Sequence, residues 1–213
     1  MKTAKHAFAM LVLVLSTVYV CGCASKGPIL VKMSYRAPQG LTAETPKVVV
    51  GVSRFQDGRG TSVSLLGRKS KESSGEGNDL VVQGTVADIV TSGFKEALNK
   101  RGVPVKDVPE WDLAGGPGEA EGPDILVGGE IKALSVEAVT KTLRVNYKAD
   151  VQIQVSAFSA AEKRVFRKLK LNCTMEREDV KFSEEKIESM LSEALSTAID
   201  QLMNDEEFKK SAR

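Results

Sequence analysis

Histidine and cysteine are the residues that this sequence has least of. Its 213 residues include one histidine, His6, and three cysteines, Cys21, Cys23 and Cys173. Beyond residue 6 there is therefore no histidine for a Ser-His-Asp or Cys-His catalytic arrangement, or for a zinc site. Aspartate and glutamate are plentiful, 28 together, but none stands in a context that indicates general acid/base chemistry. We expect a protein that is not an enzyme and that uses no metal or other cofactor.

The start of the chain predicts export and lipid attachment. A basic N-terminus precedes an apolar run, Ala7 to Val20, which is short for a membrane span and typical of a signal peptide. The run ends in Val20-Cys21-Gly22-Cys23, which resembles the bacterial lipobox. In lipoproteins of that kind the chain is cut before the last cysteine, and that cysteine is lipidated. The resemblance implies a signal peptide over residues 1–22 and a lipid anchor at Cys23.

The residues after the anchor predict where the protein resides. Ala24 follows Cys23, whereas an aspartate at this position would favour retention in the inner membrane. Three acyl chains make such an anchor effectively permanent, because each buried methylene contributes about 0.8 kcal/mol. We expect a protein of the bacterial cell envelope, lipid-anchored on the periplasmic face of the outer membrane. An ordinary secretory signal, in which the cysteines are merely small residues, is the alternative.

Removal of the signal peptide would leave a chain without net charge. The whole chain has 30 Lys and Arg against 28 Asp and Glu, and the signal contains Lys2 and Lys5 but no acidic residue. A neutral chain gives no support to nucleic-acid binding, which needs a basic surface. Gly67-Arg68-Lys69-Ser70 lacks the earlier glycine of a P-loop, so we expect no nucleotide binding. Cys173 would be the remaining thiol, which excludes an internal disulfide.

Turn residues and hydrophobic periodicity divide the rest of the chain into a tether, a domain and a tail. The predicted segments are a lipid anchor and flexible tether 23–46, a single α+β domain 47–204 and a charged tail 205–213. The first half of the domain has β-branched, polar and helical stretches in turn. Its predicted elements are a buried strand 47–55, a mobile loop 56–79, a helix 81–101 and a short strand 103–108.

The second half of the domain has the clearest periodicity. Apolar residues alternate without a break over 143–157, and the pattern continues over 165–175 except at Arg167. It predicts an antiparallel hairpin with one face on a core. A strand over 124–133 precedes this hairpin, with Gly128-Gly129 as a bulge or a point of close approach. A final amphipathic helix starts after Ser183, a favourable N-cap residue.

These elements predict an α+β fold. We expect a two-layer sandwich in which a mixed sheet of about five strands, with an antiparallel meander over residues 124–175, packs against two helices. This layout behind a lipobox resembles the YajG-like family of bacterial lipoproteins. The resemblance is carried by the turn Asp57-x-Arg59, the passage Lys100-Arg101-Gly102-Val103 and the strand 123–131. It implies an envelope lipoprotein and no enzymatic activity.

Two groups of polar residues are candidate sites, each with a purely structural alternative. Asp57 and Arg59 would form a polar site at the mouth of the first strand, or they would close a turn by hydrogen bonds. Alternation places basic residues of the hairpin on its exposed face, where they would bind lipid phosphates or an acidic partner, or simply discourage aggregation. These basic residues are Arg144, Lys148, Arg164, Lys168 and Lys170.

Two single residues have open or structural interpretations. Trp111 lies in a Gly/Pro-rich loop, where it would be an exposed anchor for a partner or would cover an edge of the core. Cys173 stands among inward-facing residues and is predicted to pack as a small hydrophobic side chain.

The leading functional hypothesis is a non-enzymatic binding or accessory module of the cell envelope. Its expected partners are the membrane, through the N-terminal lipid, and another envelope protein. An auxiliary subunit of a lipid or lipopolysaccharide transport system is the alternative, in which an apolar groove between helix and sheet or the basic hairpin face would contact lipid. A hydrolase that works through carboxylates alone is the third and weakest hypothesis.

Overall fold

One mixed sheet, covered on one face by helices, forms the domain. The computed structural model describes residues 27–41, 48–108, 110–113 and 122–212. Within these residues the strands are β1 (Ile29–Leu30), β2 (Val50–Val52), β3 (Gln56–Asp57), β4 (Leu65–Lys71), β5 (Gly77–Val81), β6 (Val105–Asp107), β7 (Ile125–Thr140), β8 (Val145–Ser159) and β9 (Arg164–Asp179). The helices are α1 (Val86–Lys100), α2 (Glu184–Met203) and α3 (Glu206–Ser211).

Strand β7 organises the sheet. One edge of β7 pairs along its whole length with β8, which in turn pairs with β9, and both pairings are antiparallel. The other edge of β7 pairs in parallel with β2, β3 and β4, one after the other. Strand β6 lies beyond β2, and β5 and β1 lie beyond β4. The mixed α+β sheet and its antiparallel meander are confirmed, but the sheet has more strands than the predicted five.

The helices and the inner face of the sheet enclose a large apolar core. Val151 and Ile153 of β8 are buried, as the period-two pattern predicts, and they belong to the same cluster as Leu191, Leu195 and Ile199 of α2. Residues four apart lie on one side of a helix, so α2 faces β8 and β9 with a continuous apolar stripe. Each such side chain stabilises the fold by about 1.5–3 kcal/mol.

Helix α1 starts later than its apolar pattern predicts. Val82 is buried but precedes Gly84, whose φ is 85°. Thr85 is the N-cap, since its side chain accepts a hydrogen bond from the Asp88 N–H at 3.1 Å and donates one to the Asp88 carboxylate at 2.6 Å. This local pair makes Val86 the first helical residue.

The polar segment 56–79 is ordered, which corrects the prediction of a mobile loop. Strand β4 pairs with β7 on one side and with β5 on the other, and Leu66 and Leu80 reach the core. Gly67 has a φ of 150°, and a Cβ at this position would lie 2.0 Å from the Val136 carbonyl oxygen. Main-chain pairing does not depend on apolar side chains, so a loop-like composition did not reveal these strands.

The predicted charged tail is also folded. Asp205 caps α3 by accepting a hydrogen bond from the Phe208 N–H at 3.0 Å, and Phe208 is buried in the core. Arg167 of β9 donates to the same carboxylate. Residues 206–211 therefore form a short helix rather than a frayed end.

Candidate functional site

The chain that follows the predicted anchor is part of the fold. Cys23 lies outside the described residues, as does the predicted signal peptide. The Val31 N–H, however, donates to the Val81 carbonyl oxygen at 2.8 Å, and Val31 and Tyr35 are buried in the core. Residues 27–41, which the sequence placed in a flexible tether, are thus docked on the domain. We call this segment the strap.

The strap runs alongside helix α2 in matching register. Three of its main-chain N–H groups, two residues apart, donate to side-chain oxygens four residues apart on α2. Two residues of extended chain span about 6.6 Å and four helical residues about 6.0 Å, so the two repeats stay in phase. The pairs are Lys32 with Glu188 at 2.8 Å, Ser34 with Ser192 at 3.3 Å and Arg36 with Ser196 at 2.8 Å.

A polar cluster joins the strap to α2 and to the end of α1. Arg101 donates to the Tyr35 hydroxyl at 2.9 Å and to Asp200 Oδ1 at 2.8 Å, and the Tyr35 hydroxyl donates to the same Oδ1 at 2.8 Å. Burial raises the pKa of Tyr35, so the phenol stays protonated and remains a donor. The three side chains satisfy one another and therefore fasten the strap.

Asp57 and Arg59 form a buried ion pair that closes the turn after β3. Their side chains are 14% and 5% exposed, and Nε and Nη2 of Arg59 each donate to a different Asp57 oxygen at 2.8 Å. Arg59 Nη1 donates to the carbonyl oxygens of Leu65 at 2.6 Å and Leu134 at 3.2 Å. The pair therefore links the start of β4 to β7. This is the geometry expected if Asp57 and Arg59 close a turn by hydrogen bonds.

The Asp57–Arg59 pair makes a contribution to stability that depends on pH. Hydrogen bonding to Arg59 is the main reason why the pKa of Asp57 lies below its ordinary value. A lowered pKa in the folded state means that the contribution is present above about pH 4, the unfolded pKa of aspartate. It is lost as the pH falls further, through the lowered pKa.

Arg144 and Lys148 lie toward one end of the hairpin, and each faces an acidic residue. Arg144 Nη1 is 3.0 Å from a Glu178 carboxylate oxygen, and Lys148 Nζ is 3.5 Å from one of Glu176. Both pairs are largely exposed, so each contributes little to stability. The glutamates also cancel much of the positive potential that the sequence predicted for this face.

The other three basic residues lie toward the opposite end of the hairpin. Lys168 and Lys170 are paired with Ser156 and Gln154 of β8. They therefore lie on the same face of the sheet as Lys148, but about 20 Å or more from it along the strand. A bulge between Ala157 and Phe158 shifts the register, so Arg164 opposes Ser159 and leaves that face. The five residues are therefore not one cluster, and a role for any of them in binding stays a prediction.

A groove of about 340 Å³ lies on the outer face of the sheet beside Lys148. Its lining includes Glu137, Asn146, Glu176 and Glu178. Asn146 Oδ1 is buried and has no hydrogen-bond partner among the described residues. The groove mixes both signs of charge, so its chemistry indicates no particular ligand.

Trp111 covers an edge of the core rather than projecting into solvent. It is 4% exposed, its ring stands edge-on to that of Phe158 at 6.0 Å, and both belong to a small cluster with Leu126. A Cβ on Gly128 would lie 3.0 Å from the indole, so the glycine is a point of close approach. The bulge in β7 lies further along, between Ile131 and Ala133.

Cys173 packs against the core, as predicted. It is partly buried on the helix-covered face, and burial raises the pKa of its thiol. A protonated thiol is a poor nucleophile. In the part of the chain that the structure describes, no three His, Cys, Asp or Glu side chains are grouped as metal ligands would be. No helix in that part is long and apolar enough to span a membrane.

Sequence reasoning did not predict that the strap is docked, although the apolar run Ile29-Leu30-Val31 was a candidate for the short strand that the structure has as β1. Its composition, with Gly27-Pro28 and Ala37-Pro38, is typical of a linker. Helix α2, on which the strap is docked, does carry a sign of this contact. Ser192 and Ser196 stand one helical turn apart on an otherwise apolar side of the helix. Buried serines at this spacing indicate that something with hydrogen-bond donors covers the helix.

The architecture is that of an α+β domain whose N-terminal segment is docked directly behind a lipobox-like sequence. Residues 125–211, from β7 to the end of α3, match a family model described as an uncharacterized lipoprotein. This half of the domain is therefore similar to bacterial lipoproteins, which reside in the cell envelope. No curated protein matches the chain.

Solved structures are similar to this chain at very low sequence identity, and the first of those named here shares its fold. A protein from Xanthomonas campestris, of the family DUF330, is 11% identical with a TM-score of 0.51, over 81% of this chain and 88% of that one. A neuraminyllactose-binding hemagglutinin homolog from Helicobacter pylori is 8% identical with a TM-score of 0.45, over 85% and 95%. A lipoprotein from Neisseria meningitidis is 8% identical with a TM-score of 0.31, over 74% and 99%.

Proposed function

We propose that the mature protein is a lipid-anchored, non-enzymatic binding or accessory module of the bacterial cell envelope. It faces the periplasm from the outer membrane and is held there by Cys23. The observation that carries this proposal is the strap, because the chain joins the fold within a few residues of the lipobox cysteine. A lipid on Cys23 would then hold the whole domain at the membrane surface. The family match of residues 125–211 supports the anchor.

The polar chemistry of the domain supports a binding role over catalysis. Asp57, Arg59 and Asp200 are used in structural pairs, and the chain has no histidine after His6. A role in lipid transport would need room for an acyl chain between helix and sheet. Among the described side chains there, Val151 and Leu195 are fully buried in the apolar core. The narrower YajG-like assignment stays a prediction.

Lipid labelling tests the anchor. Cells that express the full chain would be grown with an alkyne analogue of palmitate, and the protein purified and examined by mass spectrometry. We expect label on an N-terminal peptide that begins at Cys23. Cys23→Ala should abolish the label and leave the chain in the soluble fraction, whereas the matched control Cys21→Ala should keep both label and membrane location. Label that persists in Cys23→Ala would disprove the anchor.

Crosslinking in intact envelopes tests the binding role. The anchored wild-type chain should yield a defined crosslink to an envelope protein that the Cys23→Ala chain does not form. Lipid that co-purifies with the protein, beyond its own anchor, would instead support the transport alternative. If neither result were obtained and the purified chain showed a hydrolytic activity, both the binding role and the transport alternative would be contradicted.

A further inference from the structure

The first described residue of the strap marks the end of the sheet from which the anchor leaves the domain. The Gly27 carbonyl oxygen accepts a hydrogen bond from Asn78 Nδ2 at 3.1 Å. Asn78 starts a row of paired residues that runs across five strands. The row is Asn78, Lys69, Ala138, Tyr147 and Arg177. Gly27 is therefore level with the last residues of β7 and β9 and the first residues of β8.

Just beyond this row lie two turns and the link to α2. They are the β4–β5 turn (72–76), the β7–β8 turn (141–144) and the connection from β9 to α2 (180–183). We call these three segments, together with Lys71, the anchor end. Only three residues, 24–26, separate Cys23 from Gly27. Four steps of extended chain span at most about 14 Å, so a lipid on Cys23 holds the anchor end close to the membrane.

The anchor end carries the two most exposed large apolar side chains among the described residues. Leu143 is 83% exposed and Val180 is 77% exposed. Val145 and Asp179 are paired across β8 and β9, so Leu143 and Val180 lie just beyond the paired ends of these neighbouring strands. Neither side chain has a role in the core, and water is an unfavourable environment for both.

The charged groups around the two apolar residues suit a surface of lipid head groups. Lys71 and Lys181 are exposed, and neither forms an ion pair with a described residue. Three ion pairs surround them: Lys141 with Glu72, Arg144 with Glu178 and Lys186 with Asp179. Glu76, Glu184 and Glu185 are also exposed nearby, so Lys71 and Lys181 are local positive charges on a surface without net positive charge. Lysines beside apolar side chains are typical of segments that rest at the interface of a bilayer.

From this geometry we propose that the anchor end rests on the membrane, with Leu143 and Val180 inserted at the boundary between head groups and acyl chains. Lys71 and Lys181 contact lipid phosphates beside them. The proposal rests on the lipid anchor at Cys23. It also sets the orientation of the domain, because β7 with its 16 residues spans about 50 Å. The β8–β9 turn and Trp111 then lie far from the lipid, toward the periplasm.

Depth-dependent quenching tests the proposal on the full lipidated chain. In a Cys173→Ala background, Leu143→Cys and Val180→Cys would each be labelled with an environment-sensitive fluorophore. The matched control is Ala161→Cys, an exposed position in the turn at the opposite end of the sheet. Each protein would be reconstituted in vesicles of phosphatidylethanolamine and phosphatidylglycerol that contain a nitroxide-labelled lipid. We expect quenching at positions 143 and 180 to be several-fold stronger than at 161.

The outcomes separate this proposal from the anchor itself. Flotation of the vesicles reports the anchor, so a chain that does not float would disprove the lipidated state and with it this inference. A chain that floats, but whose probes at 143 and 180 are quenched no more than the probe at 161, would overturn the inference alone. Probes that change their emission only in whole envelopes, and not in vesicles, would assign this surface to a protein partner and would also overturn it. Lys71→Glu with Lys181→Glu should reduce the quenching at 143 and 180 while flotation persists.

Discussion

The two ends of the sheet differ in how far their apolar side chains are exposed to solvent. At the end where β7 begins, Trp111 and Phe158 are 4% and 6% exposed and pack against each other on the outer face. At the anchor end, Leu143 and Val180 are 83% and 77% exposed. The residue types are similar in hydrophobicity, so the difference arises from the course of the chain around them.

Topology explains this contrast. In the described part of the connection from β6 to β7, Trp111 packs against Phe158 and beside Gly128 on the outer face. At the anchor end the connection from β7 to β8 is a tight turn, which leaves no chain to cover its neighbours. Under the lipid anchoring that we propose for Cys23, the exposed apolar pair would lie beside the membrane, whereas the covered end would lie away from it. Four predictions test this contrast, in order of decreasing expected loss of stability.

Arg59→Ala should have the largest effect, because Arg59 fixes β4 and, through β4, the strands that lead to the anchor end. It would leave the Asp57 carboxylate buried without its partner, which costs about 4 kcal/mol in the free energy of unfolding. Urea unfolding followed by circular dichroism measures the loss. The control is Arg54→Ala, which breaks the exposed pair with Asp88 and should cost less than about 1 kcal/mol. Equal losses for the two variants would contradict the structural role of Arg59.

Trp111→Ala should expose the covered end and make the two ends alike. Removing the buried indole should lower the free energy of unfolding by about 3 kcal/mol. Trp111→Phe keeps an aromatic ring beside Phe158 and should recover most of that loss in the same urea titration. If Trp111→Ala unfolded like wild type, the covered end would not depend on this side chain.

Ser192→Ala combined with Ser196→Ala should loosen the strap without opening the core. Each substitution removes one acceptor for a strap N–H, which costs about 1 kcal/mol. Hydrogen exchange should become faster at the Ser34 and Arg36 amides and stay unchanged in β8. Ser189→Ala is the control, because Ser189 accepts only from the exposed Arg36 side chain among its described contacts. Unchanged exchange in the double variant would show that apolar contacts alone hold the strap.

Leu143→Ser and Val180→Ser should have the smallest effect on stability. Both side chains are exposed, so each change should stay within about 0.5 kcal/mol in the free energy of unfolding. The same variants should nevertheless weaken the contact of the anchor end with vesicles. A stability loss comparable to that of Trp111→Ala would mean that these residues belong to the core, and the contrast between the two ends would be lost.

Local patterns predicted the second half of the fold well. The alternation over residues 143–157 predicted the faces of β8 correctly from Val145 onward, and Ser183 marked the start of α2. It was wrong for Leu143, which lies in the β7–β8 turn and is exposed rather than on the core face. The same alternation misplaced Arg164, because one extra residue in the bulge at Ala157 and Phe158 shifts the register. A bulge has no reliable signature in a single sequence, so the predicted basic face was larger than the one that exists.

The polar first half was harder to predict. Segment 56–79 has the composition of a loop, yet β4 is held by main-chain hydrogen bonds to β7 and by the Asp57–Arg59 pair. Similarly, the strap reads as a tether but bonds to residues more than 150 positions away, such as Lys32 to Glu188. Such partners are invisible to any local pattern, because they become neighbours only when the sheet has formed.

The lipobox-like start, the lack of histidine beyond residue 6 and the apolar stripes of an α+β sandwich can be recognised in the sequence. These properties follow from residue identity and from the short repeats of helices and strands. Three results became visible only in the folded chain: the docking of the strap, the bonds of Arg59 to Asp57 and to main-chain carbonyls, and the shared position of Leu143 and Val180 at the anchor end. Each of these results depends on strand order and register, which bring distant segments together and are not encoded in any one of them.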